Sequence, residues 1–182
     1  MKTNTNLIRC LVTAGILAIL PLGISAETEM ENKPVYQVNH KALGFQAGSL
    51  SGIGLSYHQW FGANGLQITG GALSSYGSEI SYNIGIEYQR IVFGSNANEW
   101  LSGNLYLFGS GFHGGIIDST TGVYSPSFGL GIGIGIEIIL FEHFSIPIGL
   151  VDGVGIEPLA SDPSSKFTFI LMPQIGFRYR YK

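Results

Sequence analysis

Cysteine, charge and long apolar runs are all scarce in this chain. Cys10 is the only cysteine among 182 residues, so no disulfide can form within the chain and thiolate metal sites are excluded with it. Charged residues make up 12% of the sequence, against roughly 25% in an average soluble domain. Nine Lys+Arg stand against twelve Asp+Glu, a formal net charge of −3. That balance offers no basic patch of the kind nucleic acid requires. No apolar run reaches the ~18 residues that a membrane-spanning helix needs. Hydrophobic residues are nevertheless 45% of the chain, and there are 27 glycines. Apolar content without a long apolar run points to alternation.

The first 26 residues read as a cleaved signal peptide. Lys2 and Arg9 supply positive charge, residues 11–20 are apolar, Pro21 and Gly23 break the stretch, and Ile24-Ser25-Ala26 precedes a cut at Glu27. Cys10 lies before the apolar stretch, whereas a lipid-anchored cysteine would follow it. Residues 27–40 are polar, contain Pro34 and show no period; they are expected to form a loosely ordered periplasmic tail. The remainder, 41–182, is expected to be one domain.

Residues 128–138 read F-G-L-G-I-G-I-G-I-E-I. Every even position is large and apolar, and every odd position is Gly until Glu137. A period of two means a β-strand, with successive side chains on opposite faces. Alternation continues through eight segments, predicted at 41–49, 53–61, 66–75, 78–92, 99–114, 124–141, 144–154 and 167–181. Turns are expected at Leu50-Ser51-Gly52, at Gly62-Ala63-Asn64-Gly65 with its hairpin-favouring Asn-Gly pair, at Tyr76-Gly77, within 94–98, at Glu142-His143, and in polar loops at 118–122 and 157–166. Residues 41–61 also fit one bent strand, which would leave seven. An even count places both chain ends on one side, as in single-chain bacterial barrels.

Periodicity alone fits a soluble lipocalin-like barrel equally well, with the faces exchanged. Two features favour an apolar exterior. The polar faces carry Gly, Ser, Asn, Gln, Glu and Arg, but lysine only at Lys41, whereas a water-exposed exterior is rich in Lys and Glu. Aromatic residues also gather near one set of turns: Trp60, Phe61, Phe93, Trp100, Phe141, Phe144, Tyr179 and Tyr181. An aromatic girdle at one height is what a membrane–water interface favours. The expected fold is an all-β, eight-stranded, antiparallel up-and-down transmembrane β-barrel, with the aromatic-ringed turns and both termini periplasmic.

The chain resembles the small bacterial outer-membrane barrels of OmpA, OmpX and OmpW type. The resemblance rests on the opening G-F-Q-A-G-S-L-S-G-I-G-L-S-Y-H-Q-W-F and on the closing Phe177-Arg178-Tyr179-Arg180-Tyr181. It implies location in the cell outer membrane, contact with outer-membrane lipid and lipopolysaccharide, and insertion by the barrel assembly machinery, which reads the last strand.

The lumen is expected to hold Glu79, Glu87, Glu137, Arg178 and Arg180, with Asn83, Gln89 and Gln174 nearby. Charges in a narrow lumen need partners, so these groups form either a plug or the lining of a weakly selective pore. A glycosidase-like carboxylate pair is excluded by the narrow width. His143-Phe144-Ser145 is similar to the His-x-Ser of outer-membrane lipid A deacylases, but it falls at a periplasmic turn and runs into Ile-Pro-Ile. No two histidines have metal-ligand spacing, and neither metal nor cofactor is expected. Asp118, Asp152, Glu157 and Asp162 make the outer end acidic. The glycines of 129–135 are not a phosphate loop, because no helix follows them; they leave room for bulky lumen side chains. The expected role is structural or interaction-based with a mostly plugged lumen. A small passive channel for ions or hydrophobic molecules and a lipid A-modifying enzyme are the alternatives.

Overall fold

The computed structural model describes residues 39–74, 79–98, 100–157 and 166–182. The expected signal segment, the tail up to residue 38, the turn at Tyr76-Gly77 and most of the 157–166 loop lie outside the described residues.

Eight strands follow one another: β1 (Lys41–Gly48), β2 (Gly52–Phe61), β3 (Asn64–Ser74), β4 (Glu79–Asn98), β5 (Leu101–Asp118), β6 (Tyr124–Leu140), β7 (Phe144–Glu157) and β8 (Lys166–Tyr181). Each pairs antiparallel with its sequence neighbour, and β8 closes on β1 with Lys41 opposite Tyr181. The expected all-β up-and-down barrel is therefore the observed fold. Residues 41–61 are two strands rather than one bent strand, because Gly48 pairs back onto Gly52.

The two-residue period sorts the side chains between inside and outside. Along β6, Ile134 and Ile136 are 46% and 49% exposed, while Gly135 between them and Glu137 after them are buried. Along β8, Ile175, Phe177 and Tyr179 face out, and Gln174, Arg178 and Arg180 face in. The glycines of β6 answer bulk on β5. Register sets Gly135 opposite Tyr106, Gly133 opposite Phe108 and Gly129 opposite Phe112. A Cβ on Gly135 would meet the Tyr106 ring and one on Gly133 the Phe108 ring, so the large–small alternation fills a narrow interior without strain.

Three turns differ from expectation. Between β2 and β3 the turn is Gly62-Ala63, with the positive φ at Gly62 (64°), and Asn64 and Gly65 are already in the ladder opposite Phe61 and Trp60. The chain does not turn within 94–98: β4 continues to Asn98, paired with β5 through two register shifts, between Ile91 and Phe93 and between Asn96 and Asn98. These bulges absorb the extra residues, so Gly94, Ser95 and Asn96 take ladder positions. Between β6 and β7 the two residues with positive φ are Phe141 (51°) and Glu142 (62°). A two-residue hairpin turn needs this conformation, for which Asn and Gly are the usual choices; here neither is present.

The strands are unequal. β1 and β2 have 8 and 10 residues, whereas β4 and β5 have 20 and 18. The β1–β8 ladder ends at Ala47 and Ile175, and β8 runs on to Lys166 beside β7. The short hairpin thus ends well below the rim formed by β4 to β7. Its turn folds inward.

Candidate functional site in the barrel interior

Closest to the chain termini, the interior is filled by an ionic cluster. Glu137 of β6 lies between the two arginines of β8: Arg180 Nη1 is 3.1 Å from Oε2 and Arg178 Nη1 is 3.5 Å from Oε1. Asn104 Nδ2 donates to Glu137 Oε2 at 3.3 Å. Arg178 Nη2 also donates to Gln67 Oε1 and, at 3.4 Å, to Gln46 Oε1. Arg180 Nη2 donates to the Asn39 carbonyl at 2.9 Å. Glu87, two rungs up on β4, is held by amides: Gln89 donates to it at 2.7 Å and Gln174 at 2.9 Å. Glu87, Glu137, Arg178 and Arg180 are each 1% exposed. Alternation is what brings them together, since each occupies an inward position on its strand.

Glu79 is apart from these four. It is exposed at the far end of β4, opposite Asp118 in the ladder. Asp118 shapes its own loop, accepting hydrogen bonds from the Thr120 and Thr121 amides. Asp152 is exposed on the outward face of β7, in register with Ile132 and Leu171.

Of the expected aromatic girdle, Phe61, Phe93, Trp100, Phe141, Phe144, Tyr179 and Tyr181 point outward at the terminal end. Trp60 does not. It is buried inside, edge-on to His58 with ring centroids 4.6 Å apart and next to Tyr106 at 6.4 Å. Proximity to the turn suggested the girdle, but Trp60 shares the inward parity of Ser56 and His58. Counting from Tyr57 and Phe61 would have placed it correctly. A second group of rings lies outward at the opposite end. Tyr82 is hydrogen-bonded to Tyr124 (2.5 Å) and to His113 Nε2 (3.0 Å), and His113 stacks on Phe128.

Above the charged layer the interior turns apolar. Leu50, Trp60, Tyr106, Phe108 and Val151 form one buried cluster. Tyr106 and Phe108 carry the inward parity of Asn104 and Ser110, a signal present in the sequence. Leu50 belongs to a turn, where alternation gives no direction.

His143 and Ser145 are not joined. His143 Nδ1 lies 3.2 Å from the Arg180 carbonyl and 3.4 Å from Asn39 Nδ2, and its ring stacks on Tyr179. Ser145 faces inward and is fully buried. Among the described residues, no group of three or more His, Cys, Asp or Glu is arranged to hold a metal ion.

Comparison with family models, with curated proteins and with solved structures finds no match for this chain. The fold and the polarity of its two faces therefore carry the functional reading.

Proposed function

We propose that the chain is an integral outer-membrane β-barrel protein of the OmpA, OmpX and OmpW kind, with a mostly plugged lumen and a structural or interaction role. The observation that carries this reading is the reversed polarity of the wall. Buried carboxylates and guanidinium groups occupy the middle, and an apolar belt that includes Phe45, Leu55, Ile68, Ile86, Leu130, Ile134, Ile136 and Phe177, interrupted by the exposed Asp152, lies outside. In water such a belt far exceeds the few hundred Å² of apolar patch that a monomer tolerates. In a bilayer it is the solvated surface, and a closed barrel leaves no unpaired strand edge in the hydrocarbon. β1 and β2, at 8 and 10 residues, are close to the ~9–11 residues that a tilted strand needs to cross. The outward rings at both ends fit the two interfaces, and Phe177, Tyr179 and Tyr181 on β8 fit recognition by the assembly machinery.

Ser145 faces the interior and His143 contacts Arg180, Asn39 and Tyr179 instead of it, which speaks against the His-x-Ser deacylase alternative. A small passive channel is the second reading. What favours it is that the Nε atoms of Arg178 and Arg180 and the Nε2 of Gln46, all buried, have no hydrogen-bond partner among the described residues, as a wetted interior would produce. Expression with its leader in a Gram-negative host tests both. The protein should fractionate with the outer membrane, migrate faster on gels when unheated, and leave planar bilayers almost silent. Recovery as a soluble periplasmic protein without a heat shift would sink the first reading; steady ohmic conductance would replace it with the second.

A further inference from the structure

We infer that the β1–β2 turn is a hinged stopper for the barrel interior, a reading that rests on the plugged lumen proposed above. Connecting turns normally lie on the surface. Here Leu50 and Ser51 are each 1% exposed, inside the barrel. The seat is made of glycine from three other strands. A Cβ on Gly129 or Gly131 of β6 would come within 2.5 Å and 2.6 Å of the Leu50 methyls, and one on Gly153 of β7 would collide with them as well. Gly85 of β4 leaves the space that the Ser51 carbonyl occupies. These glycines sit far apart in sequence and each leaves room for this turn, although Gly153 also lets the Leu130 carbonyl approach and Gly131 the Val151 side chain.

The turn is tied to the carboxylate layer at one point. Ser51 Oγ donates to Gln174 Oε1 at 2.7 Å, and Gln174 Nε2 donates to Glu87 at 2.9 Å. The stopper is thereby coupled to the carboxylate below it. Immediately after the turn, Gly52 (φ +87°) and Gly54 (φ +141°) adopt backbone conformations that other residues rarely take. Between them Ile53 still pairs with Ala47 of β1, but its amide, beyond the end of the β2–β3 ladder, donates to Asn83 Oδ1 at 2.7 Å. The β2 arm therefore has two permissive joints. The β1–β2 ladder runs up to Gly48 and Gly52, so the hairpin tip moves as a unit, and beyond Ala47 and before Leu55 it is held to the rest of the wall by one apolar side chain and a few hydrogen bonds rather than by a ladder. Met172, on the inward parity of β8, is 43% exposed and accepts a hydrogen bond from Ser49; the wall is open beside the turn. Withdrawal of the turn through that gap exposes Glu87, Gln174 and the Phe108 layer to the outer mouth. There Ser81, Asn83, Gly114 and Ser127 form small, polar walls that admit water and small ions.

Thiol reactivity of the folded, detergent-solubilised barrel tests this, in a Cys10→Ser chain with one new cysteine at a time. Leu50→Cys should react with a small water-soluble maleimide at least tenfold faster than Val151→Cys, which is equally buried in the same layer but belongs to a strand. Adding Ser51→Ala should accelerate Leu50→Cys severalfold further and leave Val151→Cys unchanged. Equal rates at positions 50 and 151 would mean that only global unfolding releases the turn, and would overturn the inference. Hydrogen exchange on the unaltered chain gives the same answer without a substitution. The Ile53 amide should exchange at least tenfold faster than those of Ile132 and Ile134; equal protection overturns the inference. Neither measurement needs a membrane, so either can fail while the chain still fractionates with the outer membrane.

Discussion

The interior near the chain termini is closed by charge, and the interior near the far end is closed by a loop. Near the termini Glu137 bridges Arg178 and Arg180; the ladders of β6 and the β1 side of β8 are unbroken, while the β7–β8 ladder skips Ile146 and Pro147, and Asn39 adds a backbone carbonyl beneath the arginines. Rim segments there are also tied together: the Phe141 amide donates to Trp100 at 2.8 Å and the Arg180 amide to His143 at 2.6 Å. At the far end glycines leave a hollow and Leu50 enters it. A buried ion pair needs fixed partners, because a lost partner leaves an uncompensated charge. An apolar side chain in a glycine seat needs only volume. One end is therefore built to stay shut, and the other can be shut reversibly.

Four tests break or sharpen this contrast. The largest effect is expected from Glu137→Ala, which strands two buried guanidinium groups and should lower stability by about 3–5 kcal/mol, read as the urea midpoint of the barrel refolded in lipid vesicles. Arg178→Ala should cost less, because Arg180 still neutralises Glu137; equal losses would mean that the carboxylate is not shared. Next comes Ile134→Arg on the outer wall, at about 2–4 kcal/mol in a bilayer, against about 0–1 kcal/mol for Tyr181→Arg at the rim. If depth makes no difference, the wall does not face hydrocarbon. Third, Gly131→Ala should cost about 1–3 kcal/mol by overpacking Leu50, whereas Gly109→Ala should be near neutral. Gly109 faces outward, and a Cβ there meets nothing closer than Gly131 O at 4.0 Å. The smallest change is a gain: Glu142→Gly relieves a left-handed residue in the β6–β7 turn and should raise stability by about 1 kcal/mol. An unchanged midpoint would show that Glu142 makes a compensating contact.

Much of the architecture could be read from alternation. Residues 128–138 announce a strand with one greasy face, and the even positions do point outward. The same count places Glu87, Glu137, Arg178 and Arg180 inside. It failed where position along the strand was weighed above parity, as at Trp60, and where turn chemistry was trusted over pairing, as at 94–98. Glu79 shows a further limit. It has the same parity as Glu87 but stands at the far end of an unusually long strand, so burial there depends on how tall the wall is relative to its neighbours.

Which residues share a face was determined by the sequence alone, because a strand repeats every two residues and that period needs no distant contact. It also pointed to eight alternating segments, but the choice of eight over seven and the closure of β8 on β1 came from the pairing. Only the tertiary structure decided that Glu137 takes both arginines, that Tyr106 and Phe108 lie against Gly135 and Gly133, and that Leu50 rests among Gly129, Gly131 and Gly153. Those contacts join residues as much as a hundred positions apart, and the register between strands, which sets them, is a property of the closed barrel rather than of any one segment.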